Sequence, residues 1–254
     1  MFEKIQKGVY NLPLDISNSS SNLKAAHNFI KSGEVLIFRN AVNKNLVNSI
    51  KAHLIALGRS SYPNYHAIST TAPNFHRLND EDERAFVKGR FQQFNYFPWN
   101  QDYFNFFKRF KFIFELKNAL SNLPINFALE TSPDSEFTAK LSFQFYPAGG
   151  GYLVKHADPV DKHQLAICTL VMSNYGEHFN SGGTFMEMDG KKVFVERFCK
   201  EGDIIFNNAQ IPHGVDKIDE NHDMNWLEYK GRWMGLFANN KFSHVQSVSD
   251  SLAL

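Results

Sequence analysis

The sequence predicts a mainly β fold with flanking helices, a sandwich or barrel with a jelly roll among the options, and three observations carry that reading. After residue 135 the texture turns to short apolar runs separated by turn residues, at 137–146, 164–172, 183–188, 191–196, 203–207, 213–218 and 231–239. Within them, "MDGKKVFVE" sets Asp189-Gly190 at a tight hairpin turn, and "LAICTLVM" is a continuous apolar run suited to a strand buried on both faces. Before residue 135 helical periodicity dominates instead.

Taken in order, "SNLKAAHNFIKSG" (21–33) places Leu23, Ala26, Phe29 and Ile30 on one face, with Ser at its start and Gly at its end. "EVLIFRN" (34–40) reads as a short strand. "NKNLVNSIKAHLIALG" (43–58) is a second amphipathic helix, capped by Asn43 and stopped by Gly58. Residues 59–101 mix Pro, aromatics and charges without a sustained period, which suits a lid or binding loop. Then 101–124 reads as one helix ended by Pro124, its Phe104, Phe107, Phe110 and Phe114 stripe facing the core. Residues 1–135 thus form a helical buttress for a 136–240 β core, with 241–254 as a tail, all in a single domain.

Composition narrows the function. Of 254 residues, 43% are hydrophobic and 21% charged, as in a globular protein. Lys+Arg 27 against Asp+Glu 26 leaves a net charge of +1, which argues against a nucleic-acid partner. No apolar run approaches ~18 residues and the N-terminus has no signal-peptide core, so no membrane association and a cytoplasmic location are expected. Cys168 and Cys199 are too few for a disulfide framework and are expected as buried free thiols.

The chemistry-bearing stretch is "YPAGGGYLVKHADP" (146–159). On a strand, His156 and Asp158 at i and i+2 project to one face. His213, in "NNAQIPHGVDKI", is a third candidate ligand 57 residues on. Two His and a carboxylate on one face leave coordination positions open, an arrangement that suits non-haem Fe(II). Glycines 149, 150 and 151 are expected to let the strand bend or bulge so that both ligands aim inward. A phosphate cradle would need a following helix, and none is predicted. Downstream, Arg232 in "KGRWMGLFAN" lies among apolar residues on a strand and needs an anionic partner.

His-x-Asp, a distal His and a later Arg together resemble the Fe(II)/2-oxoglutarate-dependent dioxygenases, on a double-stranded β-helix (jelly-roll, cupin-like) core. The prolyl-hydroxylase-like branch is the nearest, since Tyr146 stands ten residues before His156 and "SGG" (181–183) opens a strand. The resemblance covers roughly residues 136–240. It implies that His156, Asp158 and His213 bind iron, and that Arg232 binds the distal carboxylate of the 2-oxoglutarate co-substrate with a hydrogen bond from Tyr146. O2 would be the second co-substrate. Asp158 stands where related halogenases carry a small residue, so oxygen insertion rather than chlorination is implied.

One departure stands out. Arg232 follows His213 by 19 residues, farther than the family's usual spacing. The polar stretch 219–231 is expected as a lengthened hairpin loop at the end of the barrel away from the metal, with Lys217 and Lys230 as substitutes for Arg232. The implied reaction is oxidation, by default hydroxylation, of an unactivated C–H bond in a small molecule, an amino acid or derivative being the expected class. A protein or nucleic-acid hydroxylase or demethylase is the alternative enzyme, and a 2-oxoglutarate- or metal-binding sensor the alternative outside enzymes. Arg77, in the 59–101 segment and without the local acids that surround Arg84, is the candidate contact for a substrate carboxylate.

Overall fold

The computed structural model describes residues 2–13, 15–16, 19–85, 87–132, 136–160, 162–243 and 252–253. In chain order the elements are β1 (Glu3–Gln6), β2 (Val9–Asn11), α1 (Ser20–Lys31), β3 (Val35–Phe38), α2 (Lys44–Ser60), β4 (Phe75–Asp80) and β5 (Gly89–Tyr96). There follow α3 (Phe106–Arg109), α4 (Lys111–Leu120), β6 (Phe137–Pro147), β7 (Gly151–Ala157), β8 (Ala166–Val171), β9 (Gly183–Met188) and β10 (Lys191–Phe194). The chain closes with β11 (Ile204–Asn208), β12 (His213–Ile218), β13 (Gly231–Lys241) and β14 (Leu252–Ala253). Of the tail expected over 241–254, residues 244–251 and 254 lie outside the described residues.

Eight of these strands build the barrel. One layer runs β11-β8-β13-β6 and the other β7-β12-β9-β10. Apart from the β9–β10 hairpin, each step along the chain from β6 to β13 crosses from one layer to the other. That alternation is a double-stranded β-helix, the fold class expected. Asp189 and Gly190 both take positive φ (50° and 71°) in the β9–β10 turn, as the Asp-Gly pair predicts. On the N-terminal side, β1, β2 and β3 extend the first layer beyond β11, and β5 bridges the layers between β6 and β7.

Period-two alternation on β6 sorts the interior. Leu141, Phe143 and Phe145 face outward into the main apolar cluster, where Phe110 and Phe114 meet Phe237 at ring separations of 5.5 and 5.1 Å. The helices are therefore the buttress that the sequence predicts. The inward positions, Lys140, Gln144 and Tyr146, face a cavity inside the barrel.

Four expectations change. The 59–101 segment is not one long loop, because it contains the β4–β5 hairpin, and residues of that hairpin line the cavity together with those that flank it. Every residue of β5 from Phe91 to Tyr96 is buried, Gln92, Gln93 and Asn95 among them, so no apolar/polar alternation marks it as a strand. The 101–124 helix is two, α3 and α4, with the first started by the Asp102 carboxylate, which accepts from Phe104 N at 2.8 Å and Phe106 N at 3.1 Å.

The glycine run does not aim the ligands. Gly149 and Gly150 (φ 89° and 110°) form the turn that carries the chain from β6 to β7, and a Cβ on Gly149 would lie 2.6 Å from the His222 carbonyl oxygen. Five residue steps along the strand, roughly 16 Å, separate Gly151 from His156. Residues 219–230 are likewise a crossover between layers rather than a hairpin, since β12 and β13 do not pair. They do lie at the end away from His213, where Gly149 N donates to Asp219 O at 3.0 Å. Cys168 and Cys199 are free and buried, as expected, and burial raises both thiol pKa values well above the usual range.

Candidate metal centre

Strand register brings the three predicted ligands together. His213 on β12 stands directly opposite His156 on β7, with ring centroids 4.4 Å apart. Asp158 follows β7 by one residue and is held there by its own N–H, which donates to Ala209 O at 2.9 Å. One oxygen of its carboxylate is 3.9 Å from His156 Nε2 and the other 3.6 Å from His213 Nε2. One donor atom from each of the three residues lies within 4.8 Å of the others.

The imidazole tautomers follow from the main chain. His156 Nδ1 is 2.9 Å from Val154 O and His213 Nδ1 is 2.8 Å from Ile211 O. A carbonyl can only accept, so each Nδ1 carries the proton and each Nε2 presents its lone pair toward Asp158. Burial, and then the neighbouring His213, lower the His156 pKa against the pull of Asp158, which favours the neutral, ligating form. Two imidazole nitrogens and one carboxylate, oriented by main-chain carbonyls, suit a divalent transition metal with open positions. The donor set fits iron.

Arg232 is fully buried, and its anionic partner is a residue that sequence reasoning missed. Glu196, 3% exposed, receives Arg232 Nε at 2.8 Å and Nη2 at 2.7 Å. Nη2 also donates to Thr184 Oγ1, and the guanidinium lies 4.9 Å from the Tyr146 ring centroid. Burial works against the charge, but Glu196 outweighs it and the Arg232 pKa is raised. Nη1 is buried with no hydrogen-bond partner. Arg232 itself is not on the cavity wall; Thr184, Tyr146 and Met234, which surround it, are. Tyr146 donates to Gln144 Oε1 at 2.6 Å, and burial raises its pKa, keeping the phenol protonated. Two hydroxyls on the wall, those of Thr184 and Tyr146, backed by the buried guanidinium, fit a carboxylate at this depth. Lys217 and Lys230 are exposed on the outside of the barrel and take no part in the cavity wall.

The cavity is about 310 Å³ and is lined by His156, Asp158 and His213 together with Arg77. Arg77 lies on β4, where its Nε donates to Gln93 Oε1 at 2.9 Å. Arg84, by contrast, is held by Asp82 at 2.6 Å. Lys140, on the inward face of β6, also lines the wall and was missed. The signal was present: in "FTAKLSFQFYP" the polar residues Lys140, Ser142 and Gln144 alternate with Leu141, Phe143 and Phe145.

No family model matches this sequence, and no curated protein does. Solved structures do. A Pseudomonas putida prolyl-4-hydroxylase is similar over 85% of this chain and 98% of its own, at 15% identity and a TM-score of 0.53. The full-length Neurospora crassa thymine-7-hydroxylase in complex with alpha-KG is similar over 96% of this chain and 89% of its own, at 9% identity and a TM-score of 0.58. The shared feature is the double-stranded β-helix. Among the described residues, no helix is long and apolar enough to cross a membrane.

Proposed function

We propose that this protein is an Fe(II)- and 2-oxoglutarate-dependent dioxygenase that hydroxylates an unactivated C–H bond of a small, carboxylate-bearing molecule, an amino acid or a derivative. The observation that carries this reading is the convergence of His156, Asp158 and His213 on one point of the barrel wall, their Nε2 lone pairs and carboxylate directed at each other. The fold shared with a prolyl hydroxylase and with a thymine hydroxylase supports it. Iron held there would supply the redox chemistry by which O2 converts 2-oxoglutarate to succinate and CO2 and oxidises the substrate.

The chain supplies position. His156, Asp158 and His213 would hold the metal by one side of its coordination sphere. Arg232, through its unpartnered Nη1, and the Thr184 and Tyr146 hydroxyls would hold the distal carboxylate of 2-oxoglutarate. Phe91, Leu153, Val215 and Met234 along the same wall exclude water from the reacting centre. Arg77, near the mouth, would receive the substrate carboxylate. The deciding experiment is Fe(II)-dependent release of succinate from 2-oxoglutarate by the purified protein. Absence of iron-dependent succinate with an intact fold would reduce the protein to a binding module.

A further inference from the structure

We infer that Lys140 and Arg77 together select an organic acid that carries no free α-ammonium group: a simple carboxylic acid, or an amino acid whose nitrogen is acylated. This deepens the proposed function and rests on it.

Acids and cations are unevenly distributed on the wall. Among the described residues lining the cavity, Asp158 is the sole acid, and it is a candidate metal ligand. Arg232 is neutralised by Glu196, and Arg84 by Asp82. Lys241, at the end of β13, is not free either. Arg77 and Lys140 have no such partner. The Arg77 Nη groups and the Lys140 ammonium make no hydrogen bond or ion pair among the described residues; Arg77 is held through Nε and by the Tyr65 ring, 5.7 Å from its guanidinium carbon, while Asp82, which Arg84 engages, acts on it only at longer range. Burial, then the neighbouring Arg77, push the Lys140 pKa down to about 8, with Asp158 pulling the other way. At pH 7 both side chains are charged and repel one another. An anion between them would relieve that repulsion.

Their position separates this pair from the 2-oxoglutarate end. On the β6–β13 ladder, Tyr146 faces Arg232 and Lys140 faces Ala238, six residues along, or roughly 20 Å. Lys140 therefore stands at the mouth, level with the end of β7 that carries His156. A divalent ion, Asp158 and 2-oxoglutarate together come to a single negative charge, which two cations exceed. A substrate monoanion balances the cavity; a zwitterion does not, because among the described residues lining it no acid remains to receive an ammonium. The wall offers a neutral acceptor instead. Asn95, 2% exposed and lining the cavity, has its Oδ1 buried with no hydrogen-bond partner, which suits an amide N–H.

The test is calorimetric binding to protein loaded with Mn(II) and 2-oxoglutarate, so that no turnover is needed. Two matched series serve as probes: 3-phenylpropionate, its primary amide, phenylalanine and N-acetylphenylalanine, and the same four compounds on the pentanoate skeleton. The acids and N-acetyl acids should bind at least roughly tenfold tighter than the amides and the free amino acids, as expected of a charge-assisted hydrogen bond in a cavity. Lys140→Met should erase most of that preference and Lys140→Arg should retain it, with circular dichroism reporting the fold of each variant. The inference is overturned if the wild type binds 2-oxoglutarate yet takes phenylalanine or norvaline as tightly as their N-acetyl forms. It is equally overturned if no acid binds better than its amide. Failure of the wild type to bind 2-oxoglutarate would instead sink the proposed function, and this inference with it.

Discussion

The two ends of the barrel treat positive charge differently. At the deep end, Arg232 is fully buried and faces Glu196, so the pair is close to neutral before any ligand arrives. At the mouth, Arg77 and Lys140 line one cavity, and neither makes an ion pair among the described residues. A buried ion pair is a fixed part of the structure, whereas cations without an acid are costly unless a ligand completes them. In the proposed function the deep end therefore serves an anion that every turnover uses, with the guanidinium Nη1 left over for it. In the same reading the mouth distinguishes one visiting molecule from another.

The candidate metal centre lies at the mouth end, level with Lys140, and gives the largest expected effect. Alanine at His156, Asp158 or His213 should bring iron-dependent succinate release below detection while far-ultraviolet circular dichroism stays close to wild type. Retained turnover in any of the three variants would remove that residue from the ligand set.

At the deep end, Glu196→Ala strands a buried guanidinium and should cost about 3–5 kcal/mol in urea unfolding. Replacing both partners, as Glu196→Leu with Arg232→Met, should recover most of that loss, because a buried ion pair has no large net advantage over apolar residues of similar volume. The double variant also sharpens the functional contrast between the ends. With folding restored, its 2-oxoglutarate affinity should still fall by an amount worth ~2–4 kcal/mol, the scale of a truncated charge-assisted contact. Unchanged affinity in that variant would place the co-substrate carboxylate elsewhere and dissolve the assigned division of labour.

How much of this could be read from the sequence depended on whether the signal was local. The β9–β10 turn was legible because Asp189-Gly190 encodes its own backbone geometry. The convergence of His156, Asp158 and His213 was legible because His-x-Asp is local and His213 begins a recognisable strand. Arg232 was recognised as a buried charge in need of an acid, but Glu196 lies 36 residues away and meets it only through the fold. Likewise β5 was hidden because β4, β6 and β7 surround it, so that its Gln and Asn side chains are buried like its Phe residues. The glycine run was misread for the same reason: glycines report a turn, but not which end of the barrel it closes. Lys140 is a different case. Its alternation with Leu141, Phe143 and Phe145 was visible, and only knowledge of which face encloses the cavity was missing.

A third cation tests the comparison where no ligand site is involved. Lys117, on α4, is fully buried, and its ammonium has no hydrogen-bond partner. Burial lowers its pKa from 10.5 to about 8, with Cys168 acting in the opposite direction. Between about pH 8 and 10.5 the unfolded chain therefore holds a proton at this position that the folded chain has released, so stability rises with pH through that window. Below about pH 8 both states are protonated and the full cost is present, on the order of 3 kcal/mol for a shift of this size. Lys117→Met keeps the volume and removes the charge. At pH 7 it should stabilise the protein by up to about 3 kcal/mol in urea unfolding, and the gain should shrink by that amount as pH rises past 10.5. Taking the difference between variant and wild type at each pH cancels the other titrating groups, Lys140 included. A gain independent of pH would mean that the folded protein hydrates or pairs Lys117. It would also show that a lone cation here needs no ligand to be tolerated, which would weaken the reading of the mouth as a site waiting for an acid.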